Sequence, residues 1–344
     1  MTKQGPTIKD VAQRAGVSIA TVSNVINGTR FVSAELQQRV REAVAELDYR
    51  PSSTGRMLRK RRSRSIGVVL PDPRNQFFQI VAQGIEEQAE RHRYNIWYCN
   101  SKDESSRERD YLEAMVASGA AGIIVAPTPA GRENLRPILD QGVPAVAMVR
   151  QIERFNIDQI FADSIDGAYQ GTRHLIQLGH RRIGLLIGVR QIQTFKERLF
   201  GYQQALADHS IPFDASLVLD AYSHIEEGCE ATKYLLQNTD ITAVFATNYP
   251  MTLGALKALR ELNIDCPEQI SLLGFDNLDC STVLVPPLTV VDQKPYEIGY
   301  NAGVMLFEQI KAGSKLRREP RTVRIAPQVV TRQSTAACSR SRIR

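Results

Sequence analysis

The stretch from Thr7 to Gly28, TIKDVAQRAGVSIATVSNVING, decides how the N-terminal part folds. Ile8, Val11, Ala12 and Ala15 recur at the three-and-four spacing of one helical face, with Thr7 at the N-cap and Asp10 at the capping-box position. Gly16 breaks that helix. Ser18 caps a second one over residues 19–26, which Asn27 and Gly28 end. Working outward, Ser33 starts a third helix with Leu36, Val40, Val44 and Leu47 on one face, and Pro51 limits its extension. A helix, a short turn containing glycine and a second short capped helix form a helix-turn-helix pattern, so residues 7–48 read as an all-α head without strands.

From Ser65 the period changes. Apolar β-type runs recur at 66–70, 96–98, 122–126, 145–149, 183–187, 243–246 and 270–275, and amphipathic helical stretches such as 78–93, 105–118 and 196–209 lie between most of them. Near-continuous apolar strands alternating with helices imply doubly wound parallel sheets covered on both faces. About 270 residues exceed one comfortable core, so two α/β lobes are expected.

Composition narrows the class. The chain has 344 residues with 43% hydrophobic and 23% charged, an ordinary globular balance. No apolar run approaches the ~20 residues of a membrane span, and the first residues lack the apolar core of a secretory signal. Cys99, Cys229, Cys266, Cys280 and Cys338 form no CxxC pair and are odd in number, so a reduced cytoplasmic protein is expected, with neither a disulfide framework nor a metal site. Charge is unevenly placed: residues 1–66 hold 13 Lys/Arg against 5 Asp/Glu, while the rest hold 30 against 32. A basic head on a near-neutral body is the footprint of a module that meets a polyanion. The densest run is 56–64, with six cations in nine positions.

Residues 7–58 closely resemble the lactose/galactose repressor (LacI/GalR) family of bacterial regulators, and the run Val25–Val32 is most similar to its purine-repressor branch. The likeness continues through Asp72–Phe78, Gly179–Gly184, Arg198–Tyr202, Phe245–Asn248, Gly274–Asn277 and Pro286–Thr289, and spans about residues 7–335. The resemblance implies a helix-turn-helix domain at 1–50 and a hinge helix and linker at 51–64. It also implies a body at 65–335 of periplasmic-binding-protein type, made of two doubly wound parallel-sheet lobes. The near lobe would take about 65–162 and 292–322, the far lobe about 163–291 and 323–335, and 336–344 would be a disordered tail.

By that resemblance Ile19 and Ala20 occupy the reading positions in the major groove, with Thr21, Asn24 and Arg30 nearby. Ile19 and Ala20 offer apolar contact suited to a thymine methyl, Arg30 can fork onto guanine, and Asn24 can address adenine. Ser18 and Ser23 would bind phosphate and set register, and Thr7 and Asn27 join the same DNA-facing set. Many family members carry Arg or His where this chain has Asn24, so its operator should differ at that half-site position. Residues 52–60 look like the hinge helix, in which Leu58 would wedge between base steps while Arg56 and Arg59 contact the backbone. Gly55 replaces the usual alanine at a cost of roughly 0.5–1 kcal/mol of helix stability.

The body then implies a small effector held between lobes, with Asn75, Phe77 and Phe78 on the near side. Phe77 and Phe78 would be stacking faces. Arg150, Thr194, Arg198, Tyr222, Asn248, Asp276 and Gln293 complete the expected set, with an Arg–Asp pair suited to a polyhydroxylated ligand. Val149 and Tyr249 stand where many sugar-responsive relatives place aspartates. Losing both while keeping Arg150 and Arg198 tilts the expectation toward a sugar acid or phosphate.

The reading that results is a sequence-specific repressor of a catabolic operon controlled by a sugar or sugar acid. A corepressor-dependent regulator sensing a nucleobase-like ligand is the first alternative. A sugar-binding protein or an enzyme on the same fold is the other. Against catalysis, the chain has no GxGxxG, GxxxxGK[ST], GxSxG or HExxH, and its histidines at 92, 174, 180, 209 and 224 lack ligand spacing. No cofactor is expected. One head reads half a site too weakly, so a homodimer on a pseudo-palindromic double-stranded operator is expected, with no membrane partner. The C-terminal run lacks a leucine heptad, which favours a dimer over a tetramer.

Overall fold

The computed structural model describes residues 6–27, 30–47, 63–313 and 319–338. The chain divides into two compact units, Met1–Ser63 and Arg64–Arg344.

In the first unit, α1 (Ile8–Ala15), α2 (Ile19–Asn27) and α3 (Ala34–Glu46) are the three expected helices. The Thr7 amide donates to Asp10 Oδ2 at 2.6 Å and its hydroxyl to the same oxygen at 2.7 Å, closing the N-terminus of α1. The Thr7 bonds hold the Asp10 carboxyl below its ordinary pKa. Gly16 ends the helix at φ 62°, the left-handed conformation glycine reaches without a Cβ penalty. Val11, Ala12, Ala15, Val22, Val40 and Ala43 form the core, with Val17, Val25, Val44 and Leu47 packed against it. Arg39 ties α3 to the turn by donating to Ala15 O at 2.7 Å.

The second unit has two six-stranded sheets. The near lobe contains β1 (Ser65–Leu70), α4 (Gln76–His92), β2 (Asn95–Asn100), α5 (Ser105–Ala117), β3 (Gly122–Val125), α6 (Gly131–Asp140), β4 (Ala145–Met148) and β5 (Asp158–Ala162). The far lobe contains α7 (Ser164–Gln177), β6 (Ile183–Ile187), α8 (Gln193–Asp208), β7 (Val218–Asp220), α9 (Ile225–Asn238), β8 (Ala243–Ala246), α10 (Tyr249–Glu261), β9 (Ser271–Phe275), α11 (Cys280–Val283) and β10 (Thr289–Asp292). The chain then returns to the near lobe for α12 (Pro295–Ala312) and β11 (Thr322–Ile325), and ends in the far lobe with β12 (Gln328–Val330).

The near sheet runs β11-β5-β4-β3-β1-β2, every pair parallel; the far sheet runs β12-β10-β9-β8-β6-β7. The far edge departs from the all-parallel expectation, because β12 pairs antiparallel to β10 (Val290 opposite Val330). The last crossing also falls later than residue 322: β11 pairs with β5 from Thr322 to Ile325, so the chain passes back at 326–327.

Side chains of β1 alternate as the pleat demands. Ile66, Val68 and Leu70 join the cluster under α4 and α12, and Val69 joins the opposite cluster with Leu112 and Met115. Gly84 and Gly299 let α4 and α12 touch backbone to backbone, since a Cβ on Gly299 would strike the Val81 carbonyl. The expectation of disorder from 336 is corrected for residues 336–338, which are bonded to the far lobe. His180 bonds Thr242 Oγ1 at 2.8 Å, Ser271 Oγ at 3.0 Å and Ala336 O at 3.1 Å, and Cys338 N donates to Leu178 O at 2.7 Å. His180 is thus a structural hub, and residues 339–344 lie outside the described residues.

Candidate DNA-reading face and interlobe ligand site

On α2 the buried side is Val22, which leaves Ser18, Ile19 and Ala20 exposed and Thr21, Ser23 and Asn24 half-buried. Ile19 keeps 45% of its surface in solvent, although an isoleucine at the start of a helix in a small domain ordinarily seeks the core. The Ser18 Oγ accepts from the Thr21 amide at 3.1 Å and sits 2.9 Å from the Thr21 hydroxyl, so it caps α2 as the sequence implied. Residues one turn apart share a helix face, which brings Ile19 and Ala20 onto the side of Ser23 and Asn24. Thr7 and Arg30 are exposed. The Asn27 side chain, and Arg56, Leu58 and Arg59 with the expected hinge, lie outside the described residues.

In the body, the residues expected to hold an effector stand at the carboxyl ends of strands and on the helices that follow, where open α/β sheets bind ligands. Arg198 on α8 is 3% exposed. Its guanidinium donates to Thr247 O and, at 2.8 Å, to Gln293 Oε1, and lies 4.0 Å from the centre of the Phe275 ring. Its Nε has no partner among the described residues. Burial, helped by like charge on Arg150 and opposed by the nearby Asp276 and Glu197, lowers the Arg198 pKa to about 10. The group remains a cation at neutral pH.

Asp276, 2% exposed, accepts from the Gln293 amide and, at 3.1 Å, from Tyr249 N. Its carboxyl is raised by burial, with Arg198 pulling the other way. Arg198 and Asp276, both in the far lobe, make no direct ion pair among the described residues, because the Gln293 amide stands between them, accepting from one and donating to the other. Gln293 follows β10 on the crossing strand, and is 4% exposed.

Arg150 on the near lobe is also engaged. It grips both oxygens of Asp103, with Nη2 3.1 Å from Oδ2, and donates to Pro127 O at 3.2 Å. The loop carrying Pro127 is itself held by Glu108, a fully buried carboxylate that accepts from Thr128 N at 2.6 Å and Asn134 Nδ2 at 2.7 Å. Asn75 and Asn248 serve as N-caps: their Oδ1 atoms accept from Phe77 N at 3.1 Å and Met251 N at 3.0 Å. Thr194 is buried on α8 close to Arg198 in sequence.

Phe77 and Phe78 differ from the expectation. They are 4% and 7% exposed, sit edge to face at 5.2 Å and belong to the near-lobe core, so packing against α4's own sheet has taken the surface that was assigned to a ligand. Tyr222 is 56% exposed at φ 44°. Asp103, Thr247 and Phe275 were not anticipated. Asp103 stands in a left-handed turn with Lys102, and nothing in its local sequence signals a partner 47 residues away.

The lobes are also joined by Cys280 Sγ donating to Gln76 Oε1 at 3.7 Å and by Gln193 Nε2 donating to Glu153 Oε1 at 3.3 Å. The second borders an open pocket of about 630 Å³ with Arg154, Lys196 and Phe200 on its walls. That pocket uses other faces of α8 and does not include Arg198.

A basic three-helix head and a body of two similar lobes with buried polar groups at their crossing define a two-part regulator, one part for a macromolecule and one for a small molecule. Residues 7–52 match the family described as "Bacterial regulatory proteins, lacI family", and residues 63–334 match "Periplasmic binding proteins and sugar binding domain of LacI family". The chain belongs to the lacI family of bacterial regulatory proteins. It is 34% identical over 330 residues to the "HTH-type transcriptional repressor PurR" of Pasteurella multocida, covering 95% of this chain and 98% of that one. It is 35% identical to the protein of the same name from Vibrio atlanticus, again covering 95% and 98%. Among solved structures it is similar to the lac repressor dimer bound to operator and the anti-inducer ONPF, with a TM-score of 0.82, 25% identity and 97% and 100% coverage. It is also similar to the transcriptional regulator CelR–cellobiose complex, with a TM-score of 0.72, 26% identity and 96% and 99% coverage. The chain is thus a DNA-binding transcriptional regulator rather than an enzyme. Among the described residues no helix is long and apolar enough to cross a membrane.

Proposed function

We propose that the chain is a cytoplasmic, homodimeric repressor of a catabolic operon, and that a small metabolite between its lobes controls its hold on a pseudo-palindromic operator. The observation that carries this reading is the Arg198–Gln293–Asp276 chain, a buried polar array built on the strand that joins the lobes. A ligand bonding to it and to Arg150 favours one lobe arrangement. If DNA binding favours one arrangement too, ligand and operator alter each other's affinity by the same factor, typically 1–3 kcal/mol. Ile19, Ala20, Asn24 and Arg30 read bases, while Thr7, Ser18, Thr21, Ser23, Asn27, Arg56 and Arg59 hold the backbone and Leu58 enters the minor groove. Asn75, Arg150, Thr194, Arg198, Asn248, Asp276 and Gln293 surround the effector. Phe77 and Phe78 shape that wall from inside the core, and Tyr222 borders it.

A second reading, a corepressor-dependent regulator of a nucleobase-like ligand, is favoured by the likeness of Val25–Val32 to the purine-repressor branch. One experiment separates these readings from failure. The full chain selects duplexes from fragmented genomic DNA, and its affinity for the selected site is compared with a scrambled duplex at physiological salt. A specificity ratio above about 10³ is expected; equal affinity sinks the regulator reading. A ligand that weakens the selected complex marks an inducer, and one that tightens it a corepressor.

A further inference from the structure

We infer that the open pocket between α8 and the near lobe is a second small-molecule site, apart from the Arg198 array, for a zwitterion with an apolar body. An amino acid fits it: its ammonium meets Glu197, its carboxylate meets Arg154 and Lys196, and its side chain lies on Phe200. Gln193, Lys196, Glu197 and Phe200 recur on α8 at the spacing of one helix face and line a cavity of about 630 Å³, a size that holds small ligands. The facing wall belongs to the near lobe, with Glu153 and Arg154 between β4 and β5 and Arg324 on β11.

The polar groups of these walls are unevenly satisfied. Glu197 is 9% exposed, yet its carboxylate accepts one long bond, from Gln193 Nε2 at 3.4 Å, and that amide also serves Glu153 at 3.3 Å. Burial raises the Glu197 pKa, opposed by Gln193, Arg324 and Arg198 and helped by Asp163. Among the described residues Arg324 makes no ion pair with Glu197. Its guanidinium donates to Gln151 Oε1 at 3.3 Å and lies 3.6 Å from Asp163 Oδ2. A buried carboxylate so thinly bonded is costly unless a donor reaches it. The Arg154 guanidinium and the Lys196 ammonium, one from each lobe, meet no partner among the described residues. Phe200 keeps 54% of its surface in solvent on the same wall. A simple anion would answer the two cations and be repelled by Glu197. A simple cation would answer Glu197 and face Arg154, Lys196 and Arg324. A zwitterion answers both, and an apolar side chain covers Phe200.

The test uses the full chain with L-phenylalanine as probe. Beside it stand 3-phenylpropionate, which lacks the ammonium, and phenethylamine, which lacks the carboxylate, all at matched ionic strength. Calorimetry is expected to show saturable binding of L-phenylalanine, with a rise in melting temperature. Each partial probe should bind about tenfold more weakly, for the loss of one charged hydrogen-bonding group. Glu197→Gln keeps the shape and removes the charge, so it should weaken L-phenylalanine about tenfold and tighten 3-phenylpropionate. Lys196→Ala should weaken L-phenylalanine without weakening phenethylamine. Neither substitution should lower the ligand-free melting temperature, which separates lost binding from lost folding. Absence of saturable L-phenylalanine binding overturns the site. So does equal binding of the three probes, and so does unchanged L-phenylalanine affinity in Glu197→Gln. Duplex binding by the same preparation, measured separately, reports on the regulator reading alone.

Discussion

In the head, Ile19 and Ala20 stand exposed at the start of a nine-residue helix, whereas in the body Arg198, Asp276 and Gln293 are sealed from solvent and come from three places spread over 95 residues of chain. The head meets a partner far larger than itself. Its groups must project, and the helix needs only a core on its other side. The body must surround a small molecule, so its polar groups sit where water is excluded, and each has to be satisfied by another. Exposed groups are nearly independent; buried ones form a unit in which the loss of one member strands the rest.

That contrast makes graded predictions. The largest effect belongs to the body: Gln293→Ala removes the amide between Arg198 and Asp276, and should lower the stability of the body by about 3 kcal/mol. Urea unfolding followed by tryptophan and tyrosine fluorescence measures it, and a cost below about 1 kcal/mol would break the idea that the three act as a unit. The head is next. Val22 is fully buried, and Val22→Ala should cost about 2 kcal/mol, melting the head and abolishing DNA binding while ligand binding to the body persists. Loss of both activities together would show that the two units are not separable. Ser18→Ala removes the α2 cap and should cost about 1 kcal/mol, with weaker binding to all duplexes alike.

The smallest effect is a slope with pH. Burial depresses the pKa of His180 and of His174, so each favours the neutral form in the folded body. Stability from this source is fully present above the ordinary histidine value near 6.5 and is lost as pH falls through the depressed folded values. Melting temperature should therefore decline on acidification below about pH 6.5, and less so in His180→Gln. A wild-type curve that is flat between neutrality and pH 5 would show that these rings stay accessible to protons.

How much was readable from residues follows the same division. The head was legible almost entirely: its caps, the Gly16 break and its core spacing all act within four residues. Seven strands of the body were also legible, because 66–70 or 183–187 are apolar runs long enough to stand out. β5, β7, β10, β11 and β12 were not. They are three to five residues long, and DQIFA or TVRI owe their strand state to the neighbour they pair with. Arg198, Asp276 and Gln293, grouped through the resemblance, are joined by hydrogen bonds, and Asn248 follows Thr247, whose carbonyl Arg198 meets. Their bonds were not foreseen, nor was the diversion of Phe77 and Phe78 into the core.

What the sequence alone determined is the sequence of parts: a capped, cationic three-helix reader followed by two α/β lobes, since capping, helical period and apolar runs are local and additive. Tertiary structure alone decided which charges remain available. Whether Arg150 faces a ligand or Asp103, whether Arg198 meets Asp276 or an amide, and which atom of Asn248 is left over depend on contacts between residues distant in the chain. In a low-dielectric interior the energy of a charged group is set by those contacts and not by its neighbours in sequence.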